Sequence, residues 1–249
     1  MNPRLLAPAL GAVAVAIAPG CRAAHPLQTE DTGTQGTGNV EIENGLQRTR
    51  AGGGSIFLYQ PQVSIGVATT FDAIVQPAWT RVETGGPQGQ ASSGLGDTNL
   101  DFKWRFVGVD PWSLAVRAGL ELPTAQHGLG LPHDEVAAHA LLAGTWDATP
   151  TQVFANLGMN HNPALPRATT GIVSAAVLQS IGDRLILTAD GTLAQSPDAT
   201  RHSWPGTILG GVIWTLRPGL DLDAGWQASF HLTPSAHTWL AGLTWRFAP

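Results

Sequence analysis

Ten charged residues fall at even spacings within short stretches of the chain: Asp101, Lys103 and Arg105; Arg117 and Glu121; Arg184 and Asp190; Asp221 and Asp223; and Arg246. Five are acids and five are bases. Groups of this kind can neutralise one another along a polar wall or present alternating charge to a passing solute. The histidines offer a second chemistry. His127, His133, His139, His161, His202, His231 and His237 could present imidazole to zinc, copper or nickel. They are scattered, with no tight HxH or HxxH pair, so polar loop composition accounts for them and no metal site is expected. A hydrolase would need a Ser–His or Asp–His set. His133, Asp134 and Ser203 have no distinctive spacing for one. Gly52–Gly54 and Gly128–Gly130 lack the strand-to-helix setting of a phosphate loop. The residues therefore predict no enzymatic activity and no cofactor.

The elements that position these charges follow from their spacing. In 99–106, Leu100, Phe102, Trp104 and Phe106 alternate with Asn99, Asp101, Lys103 and Arg105. The same period of two runs through 112–122, 184–193, 220–230 and 238–247. In all five stretches the charged residues share the face opposite the apolar one. A period of two is the signature of a β-strand. No helix-period stretch exceeds two turns.

Half-buried soluble sheets also alternate, and three features decide between the two settings. The segments that hold these stretches are ten or more residues long, the first running from 97 to 107, which matches the ~9–11 tilted residues needed to cross a bilayer; soluble strands average ~5–6. Long polar connections at 84–96, 124–134, 162–170 and 196–203 alternate with tight turns at 107–111, 148–151, 181–183 and 217–219. That asymmetry separates outer loops from periplasmic turns in outer-membrane barrels. Finally, Trp104, Phe106, Trp112, Trp146, Trp214, Trp245 and Phe247 all lie beside the tight turns or the C-terminus, as one interfacial girdle would. Trp79, Trp204, Phe230 and Trp239 make a looser girdle at the other rim. The reading is all-β: an antiparallel up-and-down transmembrane β-barrel of twelve strands, with ten as the alternative count.

Composition agrees. Only 12% of the 249 residues are charged and the net charge is −5, so no basic patch invites nucleic acid. No apolar run later in the chain is long enough for a membrane helix. The start reads as an export signal over residues 1–23, with Arg4, an apolar run from Leu5 to Ala18, and small residues at the cleavage point. Cys21 would leave with it; Ala18-Pro19-Gly20-Cys21 is a poor lipobox, and lipidation stays open. Residues 24–38 are polar and rich in Gly and Thr and read as a periplasmic lead-in; whether they plug the bore is left open. Residues 39–249 form the barrel. The ten charged residues then line its lumen, with Glu41, Glu43, Asp72 and Asp147 tipping the balance towards acid. Folding about the turns sets Asp101 opposite Arg117 and Asp221 opposite Arg246. Barrel closure brings Arg246 near Glu41 or Glu43.

Three stretches carry a family resemblance: Pro26-Leu27-Gln28-Thr29-Glu30-Asp31-Thr32-Gly33-Thr34 with Glu41-Ile42-Glu43; Gly94-Leu95-Gly96-Asp97-Thr98-Asn99-Leu100; and Gly119-Leu120-Glu121-Leu122-Pro123-Thr124. In these the chain resembles the outer-membrane transporter family associated with the meta-pathway of phenol degradation. The resemblance implies a barrel that moves hydrophobic or aromatic compounds and supplies no catalytic residues. Ala125 stands where the family pattern has Gly, and the chain ends Phe247-Ala248-Pro249 rather than on an aromatic. The resulting expectation is passive passage of small solutes across the outer membrane, with a non-transporting surface barrel as the alternative. Expected partners are outer-membrane lipid, the barrel-assembly machinery and a small-molecule solute.

Overall fold

In the computed structural model the described residues are 25–86, 89–126 and 135–247. The expected export signal with Cys21, the Gly128–Gly130 stretch, His127, His133 and Asp134 lie outside them.

The alternating stretches form strands. These are β1 (Val40–Ala51), β2 (Gly54–Ala68), β3 (Phe71–Gln76), β4 (Trp79–Glu83), β5 (Ala91–Leu95), β6 (Thr98–Val109) and β7 (Trp112–Leu122). They continue as β8 (Ala137–Ala148), β9 (Thr151–His161), β10 (Thr169–Ile181), β11 (Leu185–Ala194), β12 (Gly206–Arg217), β13 (Leu220–Phe230) and β14 (Ala236–Phe247). The fourteen segments make twelve passes, because β3 with β4 and β5 with β6 are interrupted single passes. The first interruption is at Pro77, which has no N–H to give the ladder. The second, at Gly96–Asp97, abuts it: the Gly96 N–H donates to the Ala78 carbonyl at 2.9 Å. Residues 91–95, expected within a long outer loop, pair instead with 79–83. Strand pairing rather than composition decides this segment.

Every pairing is antiparallel, and β14 closes on β1 from Val40↔Phe247 to Ala51↔Ala236. Closure pairs the first and last strands along their whole length, as a membrane-spanning sheet in lipid requires. The pleat sorts the side chains. On β6, Asp101 and Lys103 are buried while Phe102 and Trp104 are exposed. Exposed apolar side chains of this kind cover the outer wall, the inverse of a soluble sheet, because lipid rather than water lies outside. At the tight-turn rim Trp104 packs on Phe106 (ring centroids 5.6 Å apart), Trp112 on Trp146 (6.3 Å) and Trp245 on Phe247 (4.3 Å). Trp214 is exposed beside them.

Two registers differ from expectation. Asp101 lies opposite Gly119, and Lys103 opposite Arg117, because a bulge between Arg105 and Val107 and a two-residue turn shift the hairpin. Asp221 lies opposite Thr244 rather than Arg246. Arg184, expected in the lumen, is exposed in the turn that precedes β11, since that strand begins one residue later at Leu185. The parity that assigned it inward does not extend into the turn.

Candidate functional site: the occluded lumen

The lead-in does not hang below the barrel. From His25 to Gln35 it runs inside, bound to inward side chains all round the wall. The His25 N–H donates to Glu43 on β1 (3.0 Å), and its ring Nδ1 pairs with Asp223 on β13. The Gln28 and Thr29 N–H groups share Asp190 Oδ2 on β11 (2.9 and 2.7 Å). Glu30 exchanges two hydrogen bonds with the Asn156 amide on β9, as donor through its N–H (2.6 Å) and acceptor through its carbonyl (2.8 Å). Thr32 reaches Thr145 on β8 and Ser113 on β7, and the Gln35 N–H reaches Asp72 on β3. An irregular backbone buried in a barrel must find such partners, and here inward polar side chains of the strands supply them.

The strongest polar anchor is ionic. Lys103 Nζ donates to Glu30 and to Asp31, both at 2.7 Å. Arg117, with no solvent exposure, donates through Nη1 to Glu30 (2.7 Å), through Nη2 to Gln62 (3.0 Å), and through Nε to Asp101 (2.8 Å). Asp101 also contacts His139 Nε2 at 3.0 Å. The Asp101–Arg117 contact thus forms on the diagonal, despite the shifted register. Near the periplasmic rim Arg246 bonds both Glu41 (2.6 Å) and Asp221 (2.5 Å). Of the other predicted lumen residues, Asp190 and Asp223 are buried against the lead-in, Glu121 and Arg105 are half-buried, and Arg184 is outside.

An apolar anchor accompanies the ionic one. Leu27 is 3% exposed and packs with Phe154, Leu178, Leu209 and Leu240, an apolar patch among the many polar side chains of the lumen. Two glycines make room beside it: a Cβ on Gly45 would lie 2.8 Å from the His25 ring, and one on Gly242 2.5 Å from its Nδ1. Gly36 and Gly38, at φ of 80° and 83°, turn the chain out of the lumen into β1, a backbone region that disfavours other residues.

Above the lead-in the lumen opens outward as a vestibule lined by Glu121, His139, Asn160, His161 and Ile172 among others. A narrow recess shares Asn160 and Ile172 and reaches Gln28. The lead-in is therefore the floor of an outward-facing cup. The loop after β11 forms part of its rim. There, hydrogen bonds from the Thr200 hydroxyl and N–H hold the Asp198 carboxyl below its usual range, and Arg167 Nη1 donates to the Ser196 carbonyl at 2.7 Å.

Sequence reasoning had singled out the wall charges but not Leu27, His25 or Glu30 as their partners. The one available signal was the pair of acids Glu30 and Asp31 in an otherwise neutral lead-in. The described histidines remain dispersed, and among the described residues no three metal-ligating side chains converge.

The family model described as "Putative MetA-pathway of phenol degradation" matches residues 23–247. Among solved structures, the COG4313 outer membrane channel from Pseudomonas putida F1 superposes with a TM-score of 0.69 at 10% identity, covering 87% of this chain and 98% of that one. The NanC porin gives 0.61 at 8% identity, covering 83% and 98%. The CymD monoaromatic hydrocarbon channel gives 0.54 at 9% identity, covering 86% and 90%. No curated protein matches by sequence. At these identities the structural likeness shows the barrel fold.

Proposed function

The chain belongs to the family described by the phenol-degradation model, and from that premise we propose that it is an outer-membrane channel for passive passage of small solutes, hydrophobic or aromatic ones among them, closed at rest by its own lead-in. The observation that carries this reading is the placement of Leu27. Its side chain covers Phe154, Leu178, Leu209 and Leu240 in the middle of a polar bore. When the lead-in leaves, the vestibule becomes continuous with the periplasm, and an apolar patch is uncovered along the way. A solute with an apolar face then has a surface to replace the one Leu27 vacates. The name of the CymD channel, a monoaromatic hydrocarbon channel, supports the same solute class. In this reading residues 1–23 are the export signal, and Phe247 is the near-terminal aromatic that the barrel-assembly machinery reads. The wall charges neutralise one another and hold the lead-in; they perform no catalysis.

Conductance in a planar bilayer tests the proposal, using residues 24–249 refolded in detergent and the same barrel lacking 25–35. The full chain should be silent or open rarely. The shortened barrel should give discrete, reproducible steps and pass small aromatic solutes into liposomes. A well-folded shortened barrel that neither conducts nor passes solute would overturn the channel reading and favour a surface-interaction barrel. Lipase and protease assays of the same preparation check for an enzyme.

A further inference from the structure

The outer wall carries charge in one place. Strand alternation sends Arg48 and Arg50 of β1 and Arg81 of β4 outward, and all three are exposed. Their inward neighbours Gln47, Thr49 and Thr80 are buried. At the other described outward positions between the two aromatic belts there is no Lys or Arg. Registers bring the three together. Arg48 lies beside Phe57 of β2, which in turn lies beside Arg81, and Arg50 lies beside Ser55, which lies beside Glu83. Arg81 donates to Glu83 at 2.9 Å, and Glu83 also accepts from Ser55. Among the described residues no carboxylate lies within salt-bridge distance of Arg48 or Arg50. The patch is thus net positive on a chain whose net charge is −5.

Its depth is marked by aromatic rings. Trp239, 60% exposed, is the direct strand partner of Arg48 on the other side. Phe57 and Trp79 meet edge to face at 6.0 Å beside Arg81. Such rings sit at the boundary between hydrocarbon and headgroup. The Gly52–Gly53 turn just above belongs to the outer end of the barrel, since the N-terminal lead-in joins β1 at the other end. An arginine on a lipid face is destabilising near the midplane, but at the boundary it can extend its guanidinium into the headgroups. Three such residues, two on β1 and one on β4 with β2 between them, suit an anionic partner at that depth.

We propose that Arg48, Arg50 and Arg81 form a binding site for the phosphates of a phosphorylated glycolipid in the outer leaflet. A guanidinium meets phosphate with two parallel hydrogen bonds, a geometry that a point charge lacks. The flanking Trp239, Phe57 and Trp79 offer apolar surface to the acyl chains below the phosphates. The site lies on the wall opposite the lumen side chains, so it anchors the barrel without touching the solute path.

The test is binding of lipid A to the refolded chain in neutral detergent, read as a shift in the temperature at which heat-modifiable gel mobility is lost. Lipid A bearing both phosphates should stabilise the barrel, and enzymatically dephosphorylated lipid A should bind roughly tenfold or more weakly. High salt should weaken the first and spare the second. The R48Q/R50Q/R81Q variant should lose the difference, while R48K/R50K/R81K should keep part of it. Inorganic phosphate at millimolar concentration should not reproduce the stabilisation, which separates a lipid site from a free-anion site. Equal stabilisation by the two lipids in the wild-type barrel, or an undiminished difference in the glutamine variant, would overturn the proposal. The wild-type comparison decides even if the triple variant folds poorly.

Discussion

Glu30 and Arg117 stand 87 residues apart in the chain and meet through a 2.7 Å hydrogen bond in the middle of the barrel. One belongs to the lead-in and the other to the wall. Arg117 is fully buried, so its guanidinium has no water to fall back on. Glu30 therefore completes the wall's own charge balance as well as holding the plug.

Replacing Glu30 with Ala removes the acceptor shared by Lys103 and Arg117. Breaking a buried ion pair from one side is destabilising by about 3–5 kcal/mol. The twelve-pass ladder does not include Glu30, so the loss should fall on docking of the lead-in rather than on barrel closure. Heat-modifiable mobility should persist while open probability in planar bilayers rises. A silent, still-occluded E30A barrel would count against Glu30 as the latch.

Leu27→Ala should act on the same docking through packing. Truncating a buried Leu loses about 2–5 kcal/mol, here shared between Leu27 and the patch around Phe154 and Leu240. Maleimide labelling of a cysteine placed at position 28 should become faster. Phe154→Ala should give a similar increase from the wall side, and the double change should add less than the sum, because both remove one contact.

Gly45→Val tests the close approach. A Cβ there would meet the His25 ring at 2.8 Å. The strand itself tolerates valine well, so the barrel should fold. His25 and Pro26 should be displaced, and the His25 amide should exchange faster. Unchanged protection of His25 would show that the ring moves aside without undocking the segment.

A charge swap across the wall should fail to rescue. In D101R/R117D the two strands would keep opposite charges, yet a carboxylate at position 117 would face Glu30, and an arginine at position 101 would face His139. We expect the double variant to fold no better than either single, measured as the urea midpoint of refolding. Recovery to wild-type stability would mean that the pair acts alone rather than as part of the network.

Arg246 provides the contrast. It bridges Glu41 and Asp221 across the seam where the barrel closes, but its side chain is 42% exposed. Solvent screening limits such a pair to about 1 kcal/mol or less. Arg246→Ala should lower the urea midpoint only slightly, and far less than Arg117→Ala.

Much of this architecture was legible from local pattern. Asp101, Lys103 and Arg105 alternate with Phe102, Trp104 and Phe106, and that order, together with strand length and the long-loop, tight-turn asymmetry, points to a wall with lipid on one side and polar groups on the other. The position of Trp112 and Trp146 beside tight turns marked one rim. The seam contact of Arg246 with Glu41 also followed, because a closed barrel must set its last strand beside its first. Registers were less legible: the bulge between Arg105 and Val107 moves every pair above it, and no residue type announces it.

Residues 25–35 show where the sequence stops. They have no periodicity, being neither strand nor helix, and their polar composition suits a solvated segment equally well. Their place is decided by partners far away in the chain: Lys103 and Arg117 for Glu30, Asp223 for His25, the patch around Phe154 for Leu27. The sequence by itself determined an up-and-down barrel, read as twelve strands with ten as the alternative, with charges on its inner face, because alternation, length and turn chemistry are local properties. Only the tertiary structure decided that the lead-in fills the lumen, because a buried cation, a buried carboxylate and an uncovered apolar patch become one another's partners only once the wall has closed around them.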